Sequence, residues 1–124
     1  MLGDQTVTSF LATRDAQRAK EFYRDVLGLR LLGDEPYALV FALPSGTLRI
    51  QKAGEFTPHP FTALGWEVSD IHATLSALIA RGVTPLRYQH LPADELGVWS
   101  VGPAQVAWFH DPDRNVLSLT QLSR

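Results

Sequence analysis

The sequence predicts an α+β protein made of two successive β-α-β-β-β modules, and three observations carry that prediction. Apolar residues alternate with period two, then recur at helical spacing, then alternate again, and this succession occurs twice. Equivalent punctuation sits a fixed distance apart: Asp15 and Asp70 are 55 residues apart, and Gly28 and Gly82 are 54 apart. The closing segments also correspond, Gly46-Thr47-Leu48-Arg49-Ile50 with Asn115-Val116-Leu117-Ser118-Leu119, but at an offset of 69. The second copy therefore holds about 15 extra residues, placed at Gln89 to Pro103. Two copies at so long a period do not make a solenoid. They describe two fused modules that build one core.

The elements follow in order. Val7, Ser9, Leu11 and Thr13 alternate with Thr8, Phe10 and Ala12, the pattern of a strand. Asp15 is a helix N-cap, and Ala19, Phe22, Tyr23, Val26 and Leu27 form one helical face that Gly28 ends. Leu29 to Leu32, Tyr37 to Leu43 and Thr47 to Lys52 read as three strands, the last two joined by the turn Pro44-Ser45-Gly46. Ala53 to Pro60 is polar, holds two prolines and reads as a linker. The second module opens with a strand at Thr62 to Val68, caps its helix with Asp70, and places Ile71, Leu75, Leu78 and Ile79 on one face before Gly82. Thr84 to Tyr88, Gln105 to His110 and Val116 to Leu122 complete it as strands, with Gln89 to Pro103 as a loop. Asp111-Pro112-Asp113 reads as turn chemistry with both carboxylates solvated.

Length and composition bound the rest. A chain of 124 residues is one ordinary domain, here with module one at about 5–53, a linker at about 54–60 and module two at about 61–124. No cysteine is present, which excludes disulfides, thiolate nucleophiles and cysteine metal sites. Eleven basic and 13 acidic residues give a net charge of −2, no electrostatic case for binding nucleic acid. The longest apolar run, Tyr37 to Leu43, is seven residues against the roughly 20 a membrane helix needs. No secretory signal is visible at the N-terminus, so the expected location is cytoplasmic. No phosphate-binding glycine loop occurs, and Ser45 and Ser100 have no base in a recognisable arrangement.

Two segments give the chain a family likeness. Arg14-Asp15 through Ala19, Phe22-Tyr23 and Val26-Leu27-Gly28-Leu29 is one, and Trp108-Phe109-His110-Asp111-Pro112-Asp113-Arg114-Asn115-Val116-Leu117-Ser118-Leu119 is the other. Trp66-Glu67-Val68-Ser69-Asp70 and Arg81-Gly82-Val83 extend it. With these the chain resembles the vicinal oxygen chelate superfamily, which includes glyoxalase I, extradiol dioxygenases and bleomycin-resistance proteins. Arg114 departs from the pattern, since the family usually has glycine there. If that position needs a positive φ, Arg114 is strained. The resemblance implies that the two modules form a half-open cup, with ligand on the concave face. In metal-dependent members, His, Gln or Glu ligands come from the first and fourth strands of each module.

Carried onto this sequence, the four metal positions fall on Thr8, Arg49, Ala63 and Ser118. Leu11, Leu48, Ile50, Leu64, Trp66, Leu117 and Leu119 take the opposite parity, suited to the helices. Divalent cations want imidazole, carboxylate or several hard oxygens, and arginine repels them. A slip of one residue brings in Ser9, Leu48 or Ile50, and Leu64, which are no better. No metal is therefore expected at the family position, and no cofactor. His59, His72, His90 and His110 come from different elements without ligand-like spacing; His110 is the one kept as a binding residue.

A cup without a metal needs another anchor. Arg49 offers a two-pronged grip for a carboxylate or phosphate, unless it pairs internally with Glu67. Thr8, Gln51, Ser118 and Thr120 share its face. Trp99 lies on a glycine-bounded loop, either as a lid over an apolar ligand or as a plug or dimer contact, and Trp108 is core or pocket wall. The expected function is metal-independent binding of a small molecule, with Thr8, Arg49, Gln51, Trp99, Trp108, His110 and Ser118 as binding residues. The alternative is a glyoxalase-type lyase or isomerase acting on a small oxygenated substrate. A third reading is a purely structural or regulatory dimerisation module. The expected partners are a small-molecule ligand and a second copy of the chain in a homodimer, with neither nucleic acid nor membrane.

Overall fold

The structure is a computed structural model that describes residues 1–123. It contains two compact units, one from Met1 to Pro58 and one from His59 onward. Among the described residues no helix is long and apolar enough to cross a membrane.

The first unit runs β1 (Thr8–Thr13), α1 (Ala16–Glu21), β2 (Leu31–Asp34), β3 (Ala38–Leu43) and β4 (Gly46–Lys52). Its sheet has the order β1-β4-β3-β2, with β1 parallel to β4 and the other neighbours antiparallel. Asp15 caps α1 by accepting the Arg18 N–H at 3.2 Å. The helical face is less regular than the apolar spacing predicts. From Phe22 to Val26 the helix widens into a π turn, and the Leu27 N–H reaches the Phe22 carbonyl at 2.9 Å. Tyr23 stays fully buried and packs on Phe41 at 5.9 Å between ring centres. The Leu29 N–H closes this end on the Tyr23 carbonyl at 2.9 Å, with Gly28 at φ 78°. That bond keeps Leu29 out of the sheet, so β2 begins at Leu31 rather than at Leu29.

The second unit runs β5 (Thr62–Glu67), α2 (Ile71–Ala80), β6 (Pro85–Leu86), β7 (Trp99–Val101), β8 (Ala104–His110) and β9 (Val116–Leu122). Its order is β5-β9-β8-β6, and β7 lies along β8 on the same side as β6. As in the first unit, the opening strand is parallel to the closing one. Asp70 caps α2 through the Ala73 N–H at 3.0 Å. Ile71, Leu75 and Leu78 are buried against β8 and β9, whereas Ile79, expected on that face, is at its exposed rim.

Three further expectations need correction in this unit. The strand expected over Thr84 to Tyr88 shrinks to Pro85–Leu86. The extra segment is not all loop: Trp99–Val101 forms β7, because Gly102 (φ 54°) and Pro103 turn the chain back into an antiparallel hairpin with β8. The Asp111 and Asp113 carboxylates are buried, not solvated. Asp111 accepts the N–H groups of Asp113 and Asn115 at 2.9 and 2.8 Å and the Asn115 side-chain amide at 2.8 Å. These bonds replace water and make the turn from β8 to β9 a buried polar knot. Arg114, in that knot, has φ 70°, the left-handed conformation its family position implied.

Candidate functional site

Strand register divides each sheet into two faces. In the first unit Leu11, Leu48 and Ile50 are buried on the face that carries the helix. The other face carries Thr8, Phe10 and Ala12 of β1 beside Thr47, Arg49 and Gln51 of β4. Thr8, Arg49 and Gln51 are therefore brought to one face, though Thr8 neighbours Thr47 and Arg49 neighbours Phe10. Phe10, half exposed, escaped the sequence reading because its alternation alone does not mark it as functional. Arg49 does form an ion pair, with Glu35 at 2.8 Å. Asp34 on the same sheet takes hydrogen bonds from Lys20 at 2.7 Å and Lys52 at 2.5 Å, which hold its carboxyl at about 2.

In the second unit Leu64, Trp66, Leu117 and Leu119 follow the predicted parity, facing α2. Ser118 pairs with Trp108 on one side and Gly65 on the other. A Cβ on Gly65 would run into the Ser118 hydroxyl oxygen, so Ser118 lies flat over a bare stretch of β5. The expected partner position, Ala63, is displaced by an irregularity between Thr62 and Leu64. That irregularity has a consequence for the site, because Thr62 now accepts a hydrogen bond from the Trp108 indole N–H at 3.1 Å.

Trp108 is the centre of an aromatic ladder. Trp99, whose strand partner is Val106, stacks on it with ring centres 6.0 Å apart and planes at 30°. Tyr88 meets it edge-on at 5.3 Å and 89°, and His90 lies 6.2 Å from Tyr88. Such offset and edge-to-face contacts suit the ring quadrupoles. On the opposite wall Phe61 is exposed and stacked on His59 at 4.8 Å and 14°. Between them opens a cleft of about 240 Å³ walled by Pro60, Phe61, Thr62, Tyr88, His90, Leu91 and Trp108. The turn that brings Tyr88 and Leu91 to one wall is closed by the Leu91 N–H on the Tyr88 carbonyl at 3.0 Å.

Of the predicted binding residues, Trp108 walls the cleft and Trp99 backs it without being a wall. Ser118 and His110 share the face of Trp108 by register, outside the cleft. Burial, and then the charge of Arg114, push the His110 imidazole below its usual value, against the pull of Asp111. Phe61, Thr62, Tyr88 and His90 went unrecognised as wall residues. The adjacency of Phe61 to His59 and Pro60, at the end of a polar linker, was the available signal for the first of them. The strand irregularity that turns Thr62 toward Trp108 has no local sequence mark.

The residues at the four family metal positions do not fit a divalent cation. Thr8, Ala63 and Ser118 offer two neutral hydroxyls and a methyl group, and Arg49 is a fixed cation held by Glu35. No cluster of three or more His, Asp or Glu able to hold a metal occurs among the described residues. The cleft itself is walled by no carboxylate, lysine or arginine. Its polar wall groups are the hydroxyls of Thr62 and Tyr88 and the imidazole of His90. This chemistry stacks on a flat ring system and offers hydrogen bonds at its edge.

Comparison with known proteins agrees with this architecture. The family model for the Glyoxalase/Bleomycin resistance protein/Dioxygenase superfamily matches residues 4–119. No curated protein matches the chain. Among solved structures, TnmS3, an antibiotic-binding protein from Streptomyces sp. CB03234, is 25% identical, with a TM-score of 0.77 and coverage of 99% of each chain. A glyoxalase/bleomycin resistance protein/dioxygenase from Alicyclobacillus acidocaldarius is 16% identical, with a TM-score of 0.71 over 98% of this chain and 93% of that one. Lactoylglutathione lyase from Agrobacterium tumefaciens is 14% identical, with a TM-score of 0.69 over 95% of this chain and 93% of that one.

Proposed function

The chain belongs to the Glyoxalase/Bleomycin resistance protein/Dioxygenase superfamily, and on that footing we propose that it binds a small molecule without a metal and holds it by sequestration rather than turnover. The observation that carries this reading is the cleft beside Trp108: aromatic walls, a pinned indole and no charged pair. A volume of about 240 Å³ is below the roughly 300–1,000 Å³ of drug-sized pockets. It therefore takes part of a ligand, a flat aromatic ring system, and leaves the remainder outside. The likeness to an antibiotic-binding protein supports this choice of ligand class.

Thr8, Arg49 and Gln51 share one face of the first unit's own sheet, where an anion would pair with Arg49 only by displacing Glu35. The lyase or isomerase reading has less support. The likeness to lactoylglutathione lyase carries the fold alone, and the cleft wall holds no carboxylate beside Tyr88 and His90. We further take the chain to form a homodimer, which light scattering on the purified protein tests directly.

The function is tested by thermal shift on chelator-treated protein with bleomycin and a panel of antibiotics carrying fused aromatic rings. A ligand selective for the native state at 100 times its Kd stabilises by about 2.7 kcal/mol. At least one compound is expected to raise Tm. No shift from any of them, with a shift from divalent metal alone, refutes the proposal.

A further inference from the structure

The segment that precedes β7 is held in a way that the aromatic ladder does not require. Asp94 gathers four donors. Its Oδ1 accepts the backbone N–H groups of Leu96, Gly97 and Val98 at 3.0, 3.1 and 2.9 Å. Its Oδ2 lies 2.7 Å from Nε2 of His72, in the first turn of α2. Arg87 clamps the same turn from the other side, donating to the carbonyls of Asp94 and Glu95 at 3.0 and 2.6 Å. The Asp94 N–H bonds to the Val98 carbonyl at 2.9 Å, and Ala93 bridges to Trp99 itself. Gly97, at φ 105°, lets the chain pass close over Pro85, and Val98 is buried.

A surface turn of five residues keeps its shape through its own backbone bonds. Here one side chain holds it as an Asx-type loop and a residue of another element fixes that side chain. Trp99 follows directly, with its ring on Trp108. We propose that His72 and Asp94 are positioning residues, which through the 94–98 turn hold Trp99 against Trp108 and so set the tilt of the indole that a ligand meets. The inference rests on the cleft being the binding site, and it makes this turn the part of the chain that decides which ring systems stack there. His72, solvent-facing at its own position, acts on the site only through Asp94.

The test reads the ladder in ligand-free protein, so its outcome is independent of whether bleomycin or any panel compound binds. Two indoles at 6.0 Å and 30° give an exciton couplet in circular dichroism. His72→Ala and Asp94→Ala are expected to weaken the couplet. Amide exchange at Leu96, Gly97 and Val98 should speed up about three- to tenfold in His72→Ala, the effect of losing one net hydrogen bond. Asp94→Ala should exceed that. His72→Gln, whose side-chain amide reaches the same carboxylate, is expected to restore both readings. A couplet unchanged in both alanine variants overturns the proposal. So does a loss in His72→Ala that His72→Gln does not repair while Tm stays at the wild-type value.

Discussion

Replacing Arg114 by glycine should stabilise the protein, although it deletes a side chain. Arg114 sits at φ 70° inside the Asp111–Asn115 turn. A side chain with a Cβ in the left-handed region costs about 1–2 kcal/mol. Glycine removes that strain and gives back about 0.4–1 kcal/mol through greater freedom of the unfolded chain. The net gain is about 0.5–1 kcal/mol, or about 2–4 °C in Tm for a chain between the small and the larger domain classes. The backbone bond from the Arg114 N–H to the Asp111 carbonyl at 3.0 Å is kept. The assay is urea unfolding at pH 8, where His110, held below its usual value, is neutral in both states. Arg114→Ala is the control, since it removes the charge but keeps the Cβ, and it should stay within about 0.5 kcal/mol of wild type. Loss of the guanidinium in either variant should also raise the His110 titration midpoint, followed by NMR, because Arg114 repels the imidazolium. A destabilised Arg114→Gly, or equal gains in both variants, refutes the strain argument.

Two other predictions follow from named contacts. Gly65→Ala should destabilise by about 1–3 kcal/mol, the usual cost of overpacking, because its new methyl meets the Ser118 hydroxyl. Ser118→Ala in the same chain should recover most of that loss by urea unfolding; equal costs with and without Ser118 would sink the explanation. Asp34, held at about 2 by Lys20 and Lys52, keeps fewer protons folded than unfolded below about pH 4. Its contribution is complete above that pH and fades as pH falls toward 2. Asp34→Asn should therefore flatten the acid limb of stability against pH, and an unchanged slope contradicts the pairing.

The fold was legible because it is written in long-range repetition. Asp15 and Asp70 do cap the two helices, and the parity of Leu48, Ile50, Leu117 and Leu119 places the helix-facing side of each sheet. What failed was local. A π turn at Phe22 is invisible to a 3.6-residue count, because the same apolar residues fit either winding. Asp111 and Asp113 read as exposed since carboxylates usually are, yet backbone N–H groups and the Asn115 amide together keep the Asp111 side chain inside. The cleft was the least legible part. Its walls come from a linker, a strand edge and the inserted segment, and only Trp108 stood out by residue type. The hydrogen bond that pins Trp108 depends on a strand irregularity at Thr62, which no pattern of two announces.

The central claim is that a flat aromatic ligand stacks in the cleft beside Trp108 with no metal present. The direct measurement is intrinsic tryptophan fluorescence, titrated with the strongest compound from the thermal-shift panel, in chelator-treated wild type and in Trp108→Ala. Saturable quenching at one ligand per chain is expected in the wild type, with affinity lower by about two- to tenfold in the variant, the loss of a ring stack worth about 0.5–1.5 kcal/mol. Equal affinity in the two proteins, or binding that appears only when a divalent ion is restored, contradicts the account.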